Sequence, residues 1–250
     1  MLILEVIFFF ILGTIFGSFY NVVIYRLPRK ESIVVGSSHC TNCNTPIKPY
    51  DLIPILSYVL LQGKCRQCKH PISSRYASIE LLTGITFALT YMRFNFSYET
   101  LVGLLLSSIL IIIAMIDIDT MEIYDRFQVF LLVLAIPYIL WISPYHFITH
   151  IIGFFIISVP FYIIALITNG IGGGDIKLIA MAGLLLGWQN TLVTFLLSSI
   201  LGGIVAIILV ATKQQDRKSL IAFGPYLCIG IFISYLYGPQ LIKWYINLIT

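Results

Sequence analysis

The chain has 250 residues, of which 59% are hydrophobic and only 10% charged, where a soluble domain carries roughly 25% charged residues. That shortfall, together with apolar runs of membrane-crossing length, argues against a soluble globular protein and for a polytopic membrane protein. The formal charge of +4 does not indicate a nucleic-acid partner, because the basic residues collect on one side of the predicted membrane topology.

Apolar segments fall at 2–25, 77–92, 100–116, 127–142, 147–168, 176–187, 191–212 and 219–238. They are continuous, whereas barrel strands alternate over ~10 residues, so the fold class is all-α: a membrane helical bundle of about eight transmembrane helices. The start of the chain is apolar, with Glu5 as its first charge and no basic region or small-residue cleavage site before Arg26. The first helix is therefore expected to stay rather than leave as a signal peptide. Residues 127–168 carry no Asp, Glu, Lys or Arg and are long enough for two spans, with a break expected at Ser143-Pro144-Tyr145-His146. A second break is expected at Gly187-Trp188-Gln189-Asn190. The sixth segment is then shorter than the ~20 residues a crossing needs. It is either tilted in a thin region or begins below the surface, which would leave Asp175 in a water-lined cavity.

With eight crossings, one side receives Arg26, Arg29, Lys30, Lys48, Lys64, Arg66, Lys69, Arg75, Arg126, Lys177, Lys213, Arg217 and Lys218, and the other only Arg93 and Lys243. The positive-inside rule makes the first side cytoplasmic and both termini external. The chain then divides into a first transmembrane helix (1–25), a cytoplasmic loop (26–76) and a membrane core (77–250).

Within that loop, Cys40-Thr41-Asn42-Cys43 is followed after 21 residues by Cys65-Arg66-Gln67-Cys68. Two Cys-x-x-Cys pairs at this spacing suit a tetrahedral zinc site. Two disulfides are the alternative, which a reducing cytoplasmic location disfavours. Four thiolates close the coordination shell, so the zinc would be structural, supplying folding energy to a loop poor in apolar residues. His39 and His70 flank the pairs as substitute ligands or bystanders. Cys228 lies inside the last helix and reads as packing.

Ionisable residues at membrane depth are functional-site candidates. Two acidic stretches lie on the cytoplasmic face: Asp117, Asp119 and Asp125 after the third helix, and Asp175 in Gly172-Gly173-Gly174-Asp175-Ile176-Lys177 before the sixth. Peptide hydrolysis by carboxylates needs two close together, sharing one proton and titrating as a unit. Glycines before Asp175 permit positive φ and close backbone approach, so an extended substrate could lie along them. The plain alternatives are an N-cap role for Asp175 and headgroup-level acids at 117–125, and spacing alone does not choose among the three.

These residues resemble the type IV prepilin peptidases, of the Gly-x-Gly-Asp class of membrane aspartyl proteases. Phe16-Gly17-Ser18-Phe19-Tyr20-Asn21 through Arg26-Leu27-Pro28 is similar to the family's opening motif. The cysteine pairs, Ser74-Arg75-Tyr76 with Glu80-Leu81-Leu82, Gly172–Leu178, and Phe223-Gly224-Pro225-Tyr226 then follow in the family's order. By resemblance the first catalytic aspartate is Asp117, counted back from Asp125, and the second is Asp175, with Gly172, Gly173, Gly174 and Lys177 forming the substrate-side loop. Tyr124 stands where the family usually has proline. The resemblance implies cleavage of the basic leader of prepilins or pseudopilins, after Gly and before their hydrophobic helix, at the cytoplasmic face of the bacterial cytoplasmic membrane. It also implies N-methylation of the new terminus with S-adenosylmethionine, and the small size with a cysteine loop looks most like competence-type processors. No Rossmann-like glycine pattern places a methyl donor. Arg75 and Glu80 are candidates for holding that zwitterion, with interface anchoring as their alternative role. A proton- or cation-coupled transporter and a zinc scaffold are the competing classes.

Overall fold

The computed structural model describes residues 2–36, 38–142, 146–168, 170–212 and 221–249. Among these residues ten α-helices follow one another: α1 (Leu2–Arg26), α2 (Leu56–Leu60), α3 (Ser74–Phe94), α4 (Tyr98–Thr120), α5 (Asp125–Ile142), α6 (Phe147–Ile156), α7 (Ser158–Thr168), α8 (Gly173–Leu186), α9 (Trp188–Ala211) and α10 (Gly224–Ile249). Among the described residues there is no β-strand, only two isolated bridges. Five stretches of the described residues are long and apolar enough to cross a membrane: α1, α4, α6 with α7, α9 and α10. On that measure the eight crossings counted from the sequence are not all met. The break expected at 143–145, and the basic residues Lys213, Arg217 and Lys218, lie outside the described residues.

The chain divides into two compact units, Met1–Ile112 and Ile113–Thr250, with the boundary inside α4. In the first unit α1 lies against α3, and glycines bring their backbones together. A Cβ on Gly13 would sit 2.6 Å from the Thr83 carbonyl oxygen, and one on Gly17 would sit 2.8 Å from the Glu80 Cα. This is a small-xxx-small contact of the kind that joins helices in lipid. The buried face of α3 is rich in threonine, which keeps its mean hydropathy low. Thr83, Thr86 and Thr90 each donate to a carbonyl one turn back, on Ile79, Thr83 and Thr86, so that face packs without unpaired hydroxyls. Toward the start of α1, Phe9 stacks on Tyr91 at 4.3 Å and the Tyr91 hydroxyl donates to Glu5. Because the atoms facing Gly13 are backbone, Gly13→Ala should cost about 1–3 kcal/mol. Thermal unfolding of the purified protein in detergent measures this, with Gly203→Ala as the neutral control, since nothing lies within 4 Å of a Cβ there.

In the second unit α8 is enclosed by α5, α6, α7, α9 and α10. Leu178, Ile179, Ala182 and Leu185 are all at most 1% exposed. A helix apolar on every side is stable only in such surroundings. At 14 residues it rises about 21 Å, short of the ~30 Å hydrocarbon layer, as the sequence predicted. The predicted break after it occurs at Gly187, whose φ of +77° only glycine adopts without strain. The fifth segment is continuous in sequence but divides at Ile157 between α6 and α7. Pro160 explains this: it has no N–H for the Ile156 carbonyl and its ring crowds that position.

Candidate functional site

The helix α4 runs further than the third apolar segment, 100–116, that it carries. Hydrophobicity ends at Ile116, but α4 continues to Thr120, and Met121, with φ +54°, turns the chain out. Its amide still bonds to the Asp117 carbonyl at 2.9 Å. Asp117 and Asp119 are therefore helical residues two apart, which do not share a face. Asp117 is 5% exposed, whereas Asp119 is exposed. Asp125 opens α5, is also exposed, and pairs with Lys177 Nζ at 2.6 Å, an exposed contact worth little by itself.

Asp175 lies in the first turn of α8. Gly172 takes the N-cap position, so the N-cap role is not the one Asp175 plays. None of Gly172, Gly173 and Gly174 has positive φ, which corrects half of the sequence argument: the loop uses glycine for close approach. A Cβ on Gly174 would sit 2.8 Å from Ile123 Cβ, one on Gly172 would sit 3.2 Å from Asp175 Oδ2, and one on Gly173 would meet nothing within 4 Å. The glycines thus let α8 begin flush against the 121–124 turn and leave open backbone at Gly173.

Asp117 and Asp175 line one cavity of about 390 Å³, with Met121–Asp125 and Gly172–Gly174 as its walls. They are close enough to interact electrostatically. Their surroundings differ. Asp117 Oδ2 accepts the Gly224 backbone N–H at 3.0 Å, at the start of α10. Asp175 Oδ1 is buried with no partner among the described residues. Asp119 is not among the cavity's walls. The Gly224 contact joins residues 107 apart in the chain through a main-chain atom, so no side-chain pattern could have announced it. The glycine at 224 was the available signal: a Cβ there would sit 2.6 Å from Asp117 Oδ2.

The four loop cysteines also come together, with their sulfurs within 4.8 Å of one another, and none forms a disulfide. Neither His39 nor His70 joins that group. The two halves are alike. Cys40 N bonds to Thr45 O and Cys65 N to His70 O. Bridges link His39 with Pro46 and Lys64 with Pro71, and Asn44 and Lys69 share a φ near +55°. Cys40 Sγ and Cys68 Sγ are 3.8 Å apart, about the edge of a tetrahedron with metal–sulfur bonds of ~2.3 Å. The Thr45 hydroxyl, 3.3 Å from Cys43 Sγ, and then the Thr45 amide favour the thiolate and bring the Cys43 pKa down to about 6. A set of four sulfurs so arranged can hold a metal ion. Glu80 lines a second cavity, in the first unit, and Arg75 is not among that cavity's walls.

Residues 11–94 match the bacterial peptidase A24 N-terminal domain, and residues 104–207 match the type IV leader peptidase family. A prepilin leader peptidase/N-methyltransferase of Bacillus subtilis (strain 168) is 35% identical over 96% of this chain and 97% of its own length. This chain belongs to the type IV leader peptidase family. Other members are similar along nearly the whole chain. Proteins named prepilin leader peptidase/N-methyltransferase from Aeromonas salmonicida (strain A449) and Pseudomonas aeruginosa are 32% and 31% identical, over 96% and 95% of this chain and 93% and 92% of their own lengths. No solved structure matches the chain.

Proposed function

We propose that this protein is a membrane aspartyl endopeptidase that removes the basic leader from prepilins or pseudopilins after a glycine, and that it N-methylates the new terminus. The observation that carries the peptidase reading is the meeting of Asp117 and Asp175 in one cavity beside open glycine backbone. One carboxylate, ionised, draws the proton from the attacking water. The other, protonated, gives its proton to the carbonyl oxygen and then to the leaving amine. Like charges at close range cannot both ionise, so the pair shares a proton across the cycle. Gly172–Gly174 offer main-chain atoms along which an extended leader junction can lie, and Lys177, held to Asp125, borders that loop. A single-span substrate would pack its apolar helix in the bilayer and present its leader at the cytoplasmic face of the bacterial cytoplasmic membrane, a side supported by the basic residues of the loops around this site. The relative from Bacillus subtilis fits a competence-type role. The transporter reading has no support from the relatives, which carry peptidase and methyltransferase names.

We assign Cys40, Cys43, Cys65 and Cys68 to one structural zinc ion. Bound there, it would supply the folding energy that ties the two knuckles together. The purified protein should hold about one zinc per chain by elemental analysis, in keeping with a closed four-sulfur shell. Cys40→Ser with Cys65→Ser should lose that zinc and lower thermal stability and methylation, while leader cleavage stays within a few-fold of wild type. Abolished cleavage at an unchanged folded amount would refute the structural role. When bound, S-adenosylmethionine would supply an electrophilic methyl for the new terminal amine, which would give up one proton.

The overall reading is tested by co-expressing the protein with a prepilin-type substrate and measuring the mass of the mature product. Loss of the leader together with one added methyl is the expected result. A product still carrying its leader at normal membrane levels of both proteins would overturn it.

A further inference from the structure

The long helices carry exposed apolar side chains, as membrane helices do. A further group lies in the loop between α1 and α3. There Leu52, Ile53, Leu56, Val59 and Leu60 are between 41% and 77% exposed. Their spacing of three and four residues puts them on one face of α2 and the turn before it. Tyr58 and Leu61, on the opposite side, line the cavity that Glu80 also lines. A loop helix that turns its apolar face outward, away from its own cavity, marks an interaction surface.

The depth of this face follows from α1. At 25 residues it rises about 37 Å, roughly 7 Å more than the ~30 Å hydrocarbon layer. Gly17 lies nine residues before the end at Arg26, a distance of about 13 Å. Even with all the excess length at that end, Gly17 is roughly 6 Å inside the hydrocarbon. Glu80 is at the same level, because a Cβ on Gly17 would sit 2.8 Å from the Glu80 Cα. Helical side chains lean toward the N-terminus of their helix, which for α3 is the loop end, so the Glu80 carboxylate reaches back toward the headgroups. Its Oε2 accepts the Ile55 N–H at 2.7 Å. The start of α2 is thereby tied down near the hydrocarbon boundary, although its sequence belongs to a loop.

We propose that the face made by Leu52, Ile53, Leu56, Val59 and Leu60 lies against the bilayer's own lipid, between the headgroups and the acyl chains. An apolar face at that depth meets acyl chains, and Lys48, Lys64 and Lys69, exposed in the same loop, suit anionic headgroups. Ile55, at φ +61°, is strained for a β-branched residue, and strain persists only where the surroundings hold it. Glu80 supplies one hold and an apolar face sunk in lipid supplies another. With five residues, α2 is too short to anchor anything by itself. The anchor is the α1–α3 pair, and the apolar face fixes the height at which the cysteine loop rests on the membrane.

The test uses the full-length protein in lipid nanodiscs of phosphatidylethanolamine and phosphatidylglycerol. Leu60→Trp adds a reporter at the most exposed point of the face, and its emission is read as the difference from wild type, which has three tryptophans. Lipids brominated high on the acyl chain should quench most of the added emission, and aqueous acrylamide should quench little of it. Strong quenching by acrylamide with none by brominated lipid would overturn the proposal and leave the face to a partner absent from the discs. Protection from both quenchers would also overturn it, because protein would then cover the face, and loss of that protection on dilution would identify a second copy of the chain. Val59→Trp repeats the measurement on the same face if Leu60→Trp lowers the folded amount.

Discussion

Asp117→Asn and Asp175→Asn should each abolish leader cleavage, and the double variant should be no worse than either single one. The substitution keeps size and shape and removes only the ability to exchange a proton. A pair that shares one proton fails when either member stops titrating, so the losses do not add. Proton transfer of this kind contributes about 10²–10⁴-fold, and a deficit of that size at matched membrane levels is the expected reading. Asp119→Asn should stay within a few-fold of wild type, because that side chain is exposed and outside the cavity. Retained processing in Asp117→Asn would move the partner role to another acid of the 117–125 stretch.

Gly224→Ala should lose about 10²-fold in cleavage, the scale set by a misplacement of ~1 Å at a reacting group. The new methyl would sit 2.6 Å from Asp117 Oδ2, 3.0 Å from its Cγ and 3.2 Å from Ile123 Cδ1. The carboxylate must swing away, and it then loses the Gly224 N–H. The backbone at 224 has no positive φ, so alanine strains nothing else there and the effect reads the contact itself. The defect should appear in the turnover number, with the amount of folded protein and zinc content unchanged. Equal loss of folded protein would mark Gly224 as a packing residue only.

How much of this is legible in the sequence differs between elements for physical reasons. The cysteine spacing fixes four sulfurs around one point because each tight knuckle leaves few other arrangements. Asp175 is marked by its glycines, although the reason differs from the expected one: close approach to Ile123 rather than positive φ. Asp117 could be separated from Asp119 only by family resemblance, since the apolar run ends at Ile116 while the helix continues on backbone hydrogen bonds that hydrophobicity does not report. The break at Ile157 was written in Pro160, and missed because the run stays apolar through it. The Gly224 amide, a main-chain atom far along the chain, was out of reach of any side-chain pattern.

The enclosure of α8 has a consequence for how the protein is made. A segment of 14 residues with no lipid-facing stripe cannot be held in a bilayer by its own hydrophobicity. Its neighbours must first create a place for it. The carboxylate at its first turn therefore arrives at the cavity only once the surrounding helices are in position, and, on the proposed role of Asp117 and Asp175, a chain caught part-way through assembly would carry an incomplete pair and no proteolytic activity toward its neighbours in the membrane.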